Sequence, residues 1–275
     1  MTIATKMAID GPDWIVPGWP APAGVGSLAT TRRGGVSIGV YAALNLGEHV
    51  GDDPAAVAVN REIVRRRIGA RTVWLRQVHG ARVIDAAACA GSFPPEADAA
   101  FTRQAGVACA VMTADCLPVL FCDVDGTVVA AAHAGWRGLL AGVLEATVAA
   151  MAAPGRELMA WFGPAIGPQA FEVGAEVREA FVGADPDAAA AFRPTGGGRW
   201  LADIYLLARQ RLAGCGVTRV FGGGSCSVTE TARFFSHRRD GRTGRMASLI
   251  WISEDSGLRG QKTEKPSARV QRTAA

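Results

Sequence analysis

Residues 107–142 read VACAVMTADCLPVLFCDVDGTVVAAAHAGWRGLLAG, and the fold turns on how that stretch is parsed. Two apolar runs, 107–112 and 117–122, flank a polar break at Thr113-Ala114-Asp115-Cys116, and a third run, 127–132, stops at His133. Short apolar runs bounded by turn signals fit strands buried on both faces. The sequence Asp123-Val124-Asp125-Gly126 predicts the turn of a hairpin joining the second and third runs, which carries Cys116 toward the end that His133 reaches. Buried strands do not tolerate an unsatisfied Asp, His or Arg, so polar residues gathered at strand ends serve one another or a ligand. A helix is expected from about Trp136 to Ala153, closed by Pro154-Gly155.

Outward from this stretch the signals alternate. Asp53-Pro54 opens an amphipathic helix that Gly69 stops, with Asp as cap and Pro at the first helical position. A strand is predicted over 72–78, ending at His79-Gly80, with another over 82–86 after a tight turn. Further strands are expected over 158–163, 217–221 and 246–252, with helices after Gly174 and over 203–212. Residues up to Gly198 before that last helix read as alanine- and glycine-rich connections. Strands alternating with helices of ten to fifteen residues favour an α/β fold, and the hairpin requires a mixed sheet.

A chain of 275 residues with 49% hydrophobic content can bury a large core. Its formal charge of +4 is carried by the last twenty residues, where five basic side chains face Glu264 alone, so the body is nearly neutral. The calculated pI near 8.9 would otherwise invite a nucleic-acid reading. This tail, over 256–275, is poor in apolar residues and has no aromatics among its bases, which describes a flexible extension to a single domain over 1–255. Six scattered cysteines without a CxxC, no signal-like start and no run of membrane-spanning length point to a cytoplasmic protein.

The chemistry-bearing residues gather at strand ends. His79, Cys116 and His133 form a sound zinc donor set, since Zn²⁺ takes thiolate and imidazole without imposing an electronic geometry. Their spacings leave three readings open: a metal site, a Cys/His nucleophilic pair, or packing and hydrogen bonding. Asp115 stands to orient a histidine, relay a proton or cap a turn, and Arg137 beside Trp136 stands to pair with a carboxylate or meet an anion. Arg32-Arg33 beside Gly34-Gly35 reads as an anion loop or a solvated turn. The Gly222–Ser225 stretch is no P-loop, because the Gly-Lys-Ser/Thr is absent.

Taken together, LRQVHG with His79, TADCLPVLF with Asp115-Cys116, and HAGWRG from His133 resemble the YfiH family, relatives of the laccase-domain proteins once called multicopper polyphenol oxidases. TTRRGG, ALNLGEHVGD, GPAIGP with FEVG, and FFSHRRDGRTGRMASLIWI continue the resemblance over about residues 25–252. One departure is His237, where relatives usually carry Tyr; another is Cys226-Ser227, where Cys-Thr is more usual.

The resemblance implies an α/β/β/α layered fold, zinc held by His79, Cys116 and His133, and phosphorolysis of adenosine, inosine, guanosine and methylthioadenosine together with adenosine deamination. A small nucleoside and inorganic phosphate are then the partners, with neither nucleic acid nor membrane involved and the oligomeric state open. Phosphorolysis needs cationic clamps on phosphate, a role expected of Arg76, Arg137 and Arg238, with Asp115 as acid/base or supporting group. Asn45 and His237 are expected to contact the nucleoside. The rivals are a cysteine hydrolase built on Cys116 and a histidine, a copper polyphenol oxidase, and a non-catalytic zinc-binding interaction protein whose fourth donor is Cys226 or His237. Four histidines are too few for the histidine-rich clusters of laccase chemistry.

Overall fold

Unbroken apolar runs in the centre of the chain become strands with no exposed face, and the helices then fall where periodicity changes from two to about four. The computed structural model describes residues 13–89 and 93–254. In chain order the elements are β1 (Val25–Ala29), α1 (Pro54–Ile68), β2 (Arg71–Val73), β3 (Val83–Asp85), β4 (Ala99–Thr102), β5 (Val107–Thr113), β6 (Leu117–Asp123) and β7 (Val129–Ala134). There follow α2 (Trp136–Leu140), α3 (Val143–Met151), β8 (Leu158–Phe162), β9 (Glu172–Val173), α4 (Ala175–Ala184), β10 (Phe192–Gly196) and β11 (Arg199–Ala202). The last four are α5 (Ile204–Gly214), β12 (Arg219–Gly222), α6 (His237–Asp240) and β13 (Met246–Ile252). The expected tail over 256–275 lies outside the described residues.

The predicted hairpin is present. Strands β6 and β7 pair antiparallel with Pro118 opposite His133 and Leu117 opposite Ala134. Its turn is tied by Asp123, whose carboxylate accepts from the backbone N–H of Thr127 at 2.7 Å and of Val128 at 3.1 Å. The two runs on either side of the polar break, however, belong to different sheets. Strand β5 joins the order β1-β13-β5-β2, while β6 and β7 lie within β12-β8-β6-β7-β4-β3. Both sheets are mixed: β2 runs parallel to β5, and β12 parallel to β8, among antiparallel neighbours. A small antiparallel sheet, β10-β11-β9, stands apart.

Period-two alternation distributes each strand between two cores. Val107, Cys109 and Val111 of β5 and Ile250 of β13 meet Leu120, Cys122, Val129 and Ala131 between the sheets. The alternate residues Ala108, Ala110 and Leu249 face Val64 and Ile68 of α1. On the far side Val119, Phe121, Ala130 and Ala132 face Leu144 and Met151 of α3 and Leu207 and Leu212 of α5. The result is the expected α/β/β/α layering. Truncating a fully buried side chain such as Phe121 to alanine removes about 3–5 kcal/mol, a large part of a domain's net stability.

Three expectations need correction. The helix from Trp136 to Ala153 is two helices, because Gly142 adopts a left-handed φ of 90° between α2 and α3. The strand over 72–78 ends at Val73, since the Gln77 side-chain amide takes over the pairing with β5, donating to the Met112 carbonyl and accepting from its N–H, each at 2.8 Å. The connection before Gly198 contains strand β10, despite Pro194 and its glycines. The cap of α1 is as read: Asp53 accepts from Ala55 N–H at 2.9 Å and Gly69 turns left-handed. Among the described residues no helix is long and apolar enough to cross a membrane.

Candidate metal centre

The crossover from one sheet to the other, the end of the hairpin and the loop after β2 converge at one place. His133 is the penultimate residue of β7, Cys116 immediately precedes β6, and His79 sits in the loop leading to β3. Their ligand atoms lie within 4.8 Å of one another. Cys116 Sγ is 3.8 Å from His79 Nε2, and the two imidazoles meet edge to face with centroids 4.8 Å apart. Both His79 and the neighbouring Asp115 have left-handed φ, 62° and 91°, which costs roughly 1–3 kcal/mol for a residue with a Cβ and persists only where surroundings enforce it.

What enforces it at His79 is Asp98, which immediately precedes β4. Its carboxylate is wholly buried and accepts from His133 Nδ1 at 2.8 Å, from His79 N–H at 2.9 Å, from Gly80 N–H at 2.7 Å and from Val78 N–H at 3.2 Å. A carboxylate only accepts, so Nδ1 of His133 carries the proton and Nε2 is left to bind a ligand. The available signal was an acid between Ala97 and Ala99 at the head of a short apolar run.

Electrostatics follow from this packing. Burial raises the Cys116 thiol, but the charges and hydrogen bonds of His133 and His79 outweigh it and bring the thiol down to about 6. Burial lowers His133, yet Cys116 and Asp98 raise it to about 9. Burial likewise works against ionised Asp98, and the His133 and Gly80 hydrogen bonds still hold its carboxyl below the usual range.

The donor set fits zinc: one thiolate and two imidazoles, one of the imidazoles oriented by a carboxylate. The walls are shaped to the same end. A Cβ at Gly135 would stand 2.9 Å from both Cys116 Sγ and His79 Cδ2, and one at Gly138 would stand 2.8 Å from the Gly80 carbonyl. Glycine at both positions lets the start of α2 close on the donors.

The centre opens into a cleft of about 200 Å³ lined by His79, Asp115, Cys116, Trp136, Arg137, Phe171, His237 and Arg238 among others. The Arg137 guanidinium stacks 4.4 Å from the Trp136 ring, and Arg238 lies over Phe171 at 5.7 Å while donating to the Glu172 carbonyl. Asp115 spends both oxygens on protein: Oδ1 accepts from Ser227 Oγ and Oδ2 from Arg238 N–H, each at 2.6 Å. It therefore fixes α6 beside the cleft rather than standing free to exchange a proton.

Two expected site residues do not reach this cleft. Arg76 is exposed and paired with Glu96, because the chain turns outward after Leu75. Asn45 is fully buried with its amide consumed by Gly47, Asp52 and the Arg245 N–H. Arg32 and Arg33 donate to the carbonyls of Ala42, Thr231 and Ala232, so that pair builds a loop junction. His237 donates from Nδ1 to the Gly241 carbonyl and Cys226 Sγ accepts from Gly167 N–H; neither belongs to the three-donor group.

The layers and the donors define an α/β protein of two packed mixed sheets with a smaller third sheet beside them, and a three-donor group at the sheet crossover that could hold a metal ion. Residues 26–253 match the family described as multi-copper polyphenol oxidoreductase laccase, and the chain belongs to that family. A Pseudomonas aeruginosa protein named purine nucleoside phosphorylase is 57% identical over 242 residues, covering 88% of this chain and 99% of its own length. The purine nucleoside phosphorylase YfiH of Escherichia coli is 55% identical over 240 residues, covering 86% and 98%. A crystal structure of a Neisseria meningitidis protein superposes with a TM-score of 0.86 at 57% identity over 87% of this chain and 99% of that one. YlmD from Geobacillus stearothermophilus superposes at 0.82 and 33% identity over 88% and 96%.

Proposed function

We propose that this chain is a zinc-dependent purine nucleoside phosphorylase of the cytoplasm, acting on adenosine, inosine, guanosine and S-methyl-5'-thioadenosine, and that it also deaminates adenosine. The single observation carrying the reading is the convergence of His79, Cys116 and His133 beside two arginines that overlie aromatic rings. The names of close relatives support the same chemistry. Residues 1–255 act as one catalytic unit, and six free cysteines suit a reducing compartment.

Held by these three donors, zinc supplies Lewis acidity. The rest belongs to the chain. Trp136 and Phe171 offer apolar faces to a purine or ribose, Arg137 and Arg238 bind anionic or polar oxygens, and His237 keeps Nε2 available for a hydrogen bond. Asp115 holds Arg238 in place. In phosphorolysis a phosphate oxygen bonds to C1′ as the C1′–N9 bond breaks, giving ribose 1-phosphate and a free purine. In deamination water adds at C6 and ammonia leaves, giving inosine. The test is a product assay on metal-defined protein with adenosine, with and without phosphate. Adenine and ribose 1-phosphate are expected only with phosphate and inosine in its absence, while neither product in either arm would sink the reading.

A second reading keeps Cys116 as a nucleophile with a histidine as its base, favoured by the 3.8 Å approach to His79. It predicts activity in metal-stripped protein that thiol alkylation destroys. The oxidase in the family's description requires several coppers, and four histidines, two of them already in one centre with Cys116, do not provide for them.

A further inference from the structure

Arg245 is a charged residue beside the three-donor group. The register pairs Met246 of β13 with Thr113 of β5, so Arg245, one residue earlier, stands opposite Ala114 and next to the Asp115-Cys116 turn. Much of the surrounding loop is devoted to this arginine. Its backbone N–H donates to Asn45 Oδ1 at 2.9 Å, and its carbonyl accepts from Leu46 N–H at 3.1 Å. A Cβ at Gly47 would stand 2.9 Å from Arg245 Cγ, so glycine there makes room for the arginine stem.

The guanidinium itself is left without a counter-ion. It donates from one nitrogen to the carbonyls of Thr243 and Gly244, at 3.0 and 3.1 Å, and among the described residues it forms no ion pair. The nearby Arg61, also largely covered, is paired with Glu48 at 2.6 Å. A half-buried cation without a carboxylate is costly to keep. Burial lowers its pKa, while the charges of Cys116 and Asp115, and after them of Tyr41, raise it. The first two are committed elsewhere, Asp115 to Ser227 and Arg238 and Cys116 to the donor set. His49 adds no second cation, being held below its ordinary pKa by burial and then by the charges of Arg245 and Arg61.

We propose that Arg245 binds inorganic phosphate at this site, and that Asn45 and Gly47 are positioning residues that set its guanidinium; the proposal rests on the phosphorylase reading. Arg137 and Arg238, which line the cleft, are then left to the nucleoside.

The experiment uses metal-loaded wild type, Arg245→Gln, Arg245→Lys and Gly47→Ala, with inorganic phosphate as the calorimetric probe and ribose 1-phosphate formation as the kinetic one. Arg245→Gln is expected to weaken phosphate binding and raise the phosphate KM at least about tenfold, with the adenosine KM moving less than about threefold. Lysine recovers part of the loss. Gly47 has φ −89°, which alanine also adopts, so Gly47→Ala displaces the arginine stem and raises the phosphate KM with the charge intact. Wild-type phosphate affinity and KM in Arg245→Gln overturn the proposal; should that variant not fold, an unchanged phosphate KM in Gly47→Ala does so. A wild type that neither binds phosphate nor makes ribose 1-phosphate brings down the phosphorylase reading itself, and this proposal with it.

Discussion

The carboxylate of Asp98 accepts a 2.8 Å hydrogen bond from the imidazole of His133, and with its remaining capacity it holds the loop that presents His79. One buried acid therefore orders two of the three donors. Asp98→Asn keeps the shape but substitutes an amide nitrogen for one accepting oxygen. Zinc affinity is expected to fall by about 10–100-fold and the metal-free protein to lose about 3 kcal/mol, read by competitive metal titration and by urea unfolding. Wild-type values in both would remove Asp98 from this role.

Gly135 tests the shape of the centre rather than its charge. Its φ of −64° suits alanine, so the backbone accepts Gly135→Ala, but the new methyl would stand 2.9 Å from Cys116 Sγ and His79 Cδ2. Metal affinity should drop by more than about tenfold, while the helix content of the metal-free protein stays at the wild-type level. Normal zinc content after dialysis would show that the donors have room to spare.

Proton uptake follows from the paired shifts. Cys116 is lowered from 9.0 to about 6, so its contribution to stability is complete above pH 9 and lost as pH falls through 6. His133 is raised from 6.5 to about 9, so its contribution is complete below pH 6.5 and lost as pH rises through 9. Between 6.5 and 9 the two trends oppose each other, and the stability of metal-free protein is expected to stay level there. The thiolate absorbance of that protein should appear with a midpoint near pH 6 and vanish in Cys116→Ser. A midpoint near the free-thiol value of about 8.5 would contradict the pairing.

Asp115 is expected to act through Arg238. Asp115→Asn gives up a charge-assisted acceptor for either Ser227 or the Arg238 N–H, and α6 then loosens at the cleft. The adenosine KM should rise about five- to tenfold with zinc content kept, and Ser227→Ala should give a smaller change in the same direction. A lost pH limb at unchanged KM would instead make Asp115 a proton-transfer group.

The sequence made the hairpin legible because β6 and β7 are apolar at every position but Asp123 and His133 near their ends, and their turn is unmistakable. It did not reveal that β5 leaves for another sheet, since full burial looks the same in either one. His79, Cys116 and His133 were readable as scarce donors at strand ends. Asp98 was not, because an acid in an alanine-rich run carries no periodic signal, and its importance comes from what folds onto it. Asn45 and Arg76 misled for the converse reason: polar residues beside glycines and histidines look like ligand contacts until the structure commits them to protein. Gly142 ended α2 without warning because a glycine in a helical run is often tolerated.

The polar break at residues 113–116 is the thread by which the chain passes from β5 of one sheet to β6 of the other, and Cys116 lies on it beside His133 of the second sheet. An ion bound there would rivet the seam of the sandwich. Prying the two sheets apart would then require breaking coordination first, so metal loading should slow the opening of the whole molecule and not merely complete its chemistry.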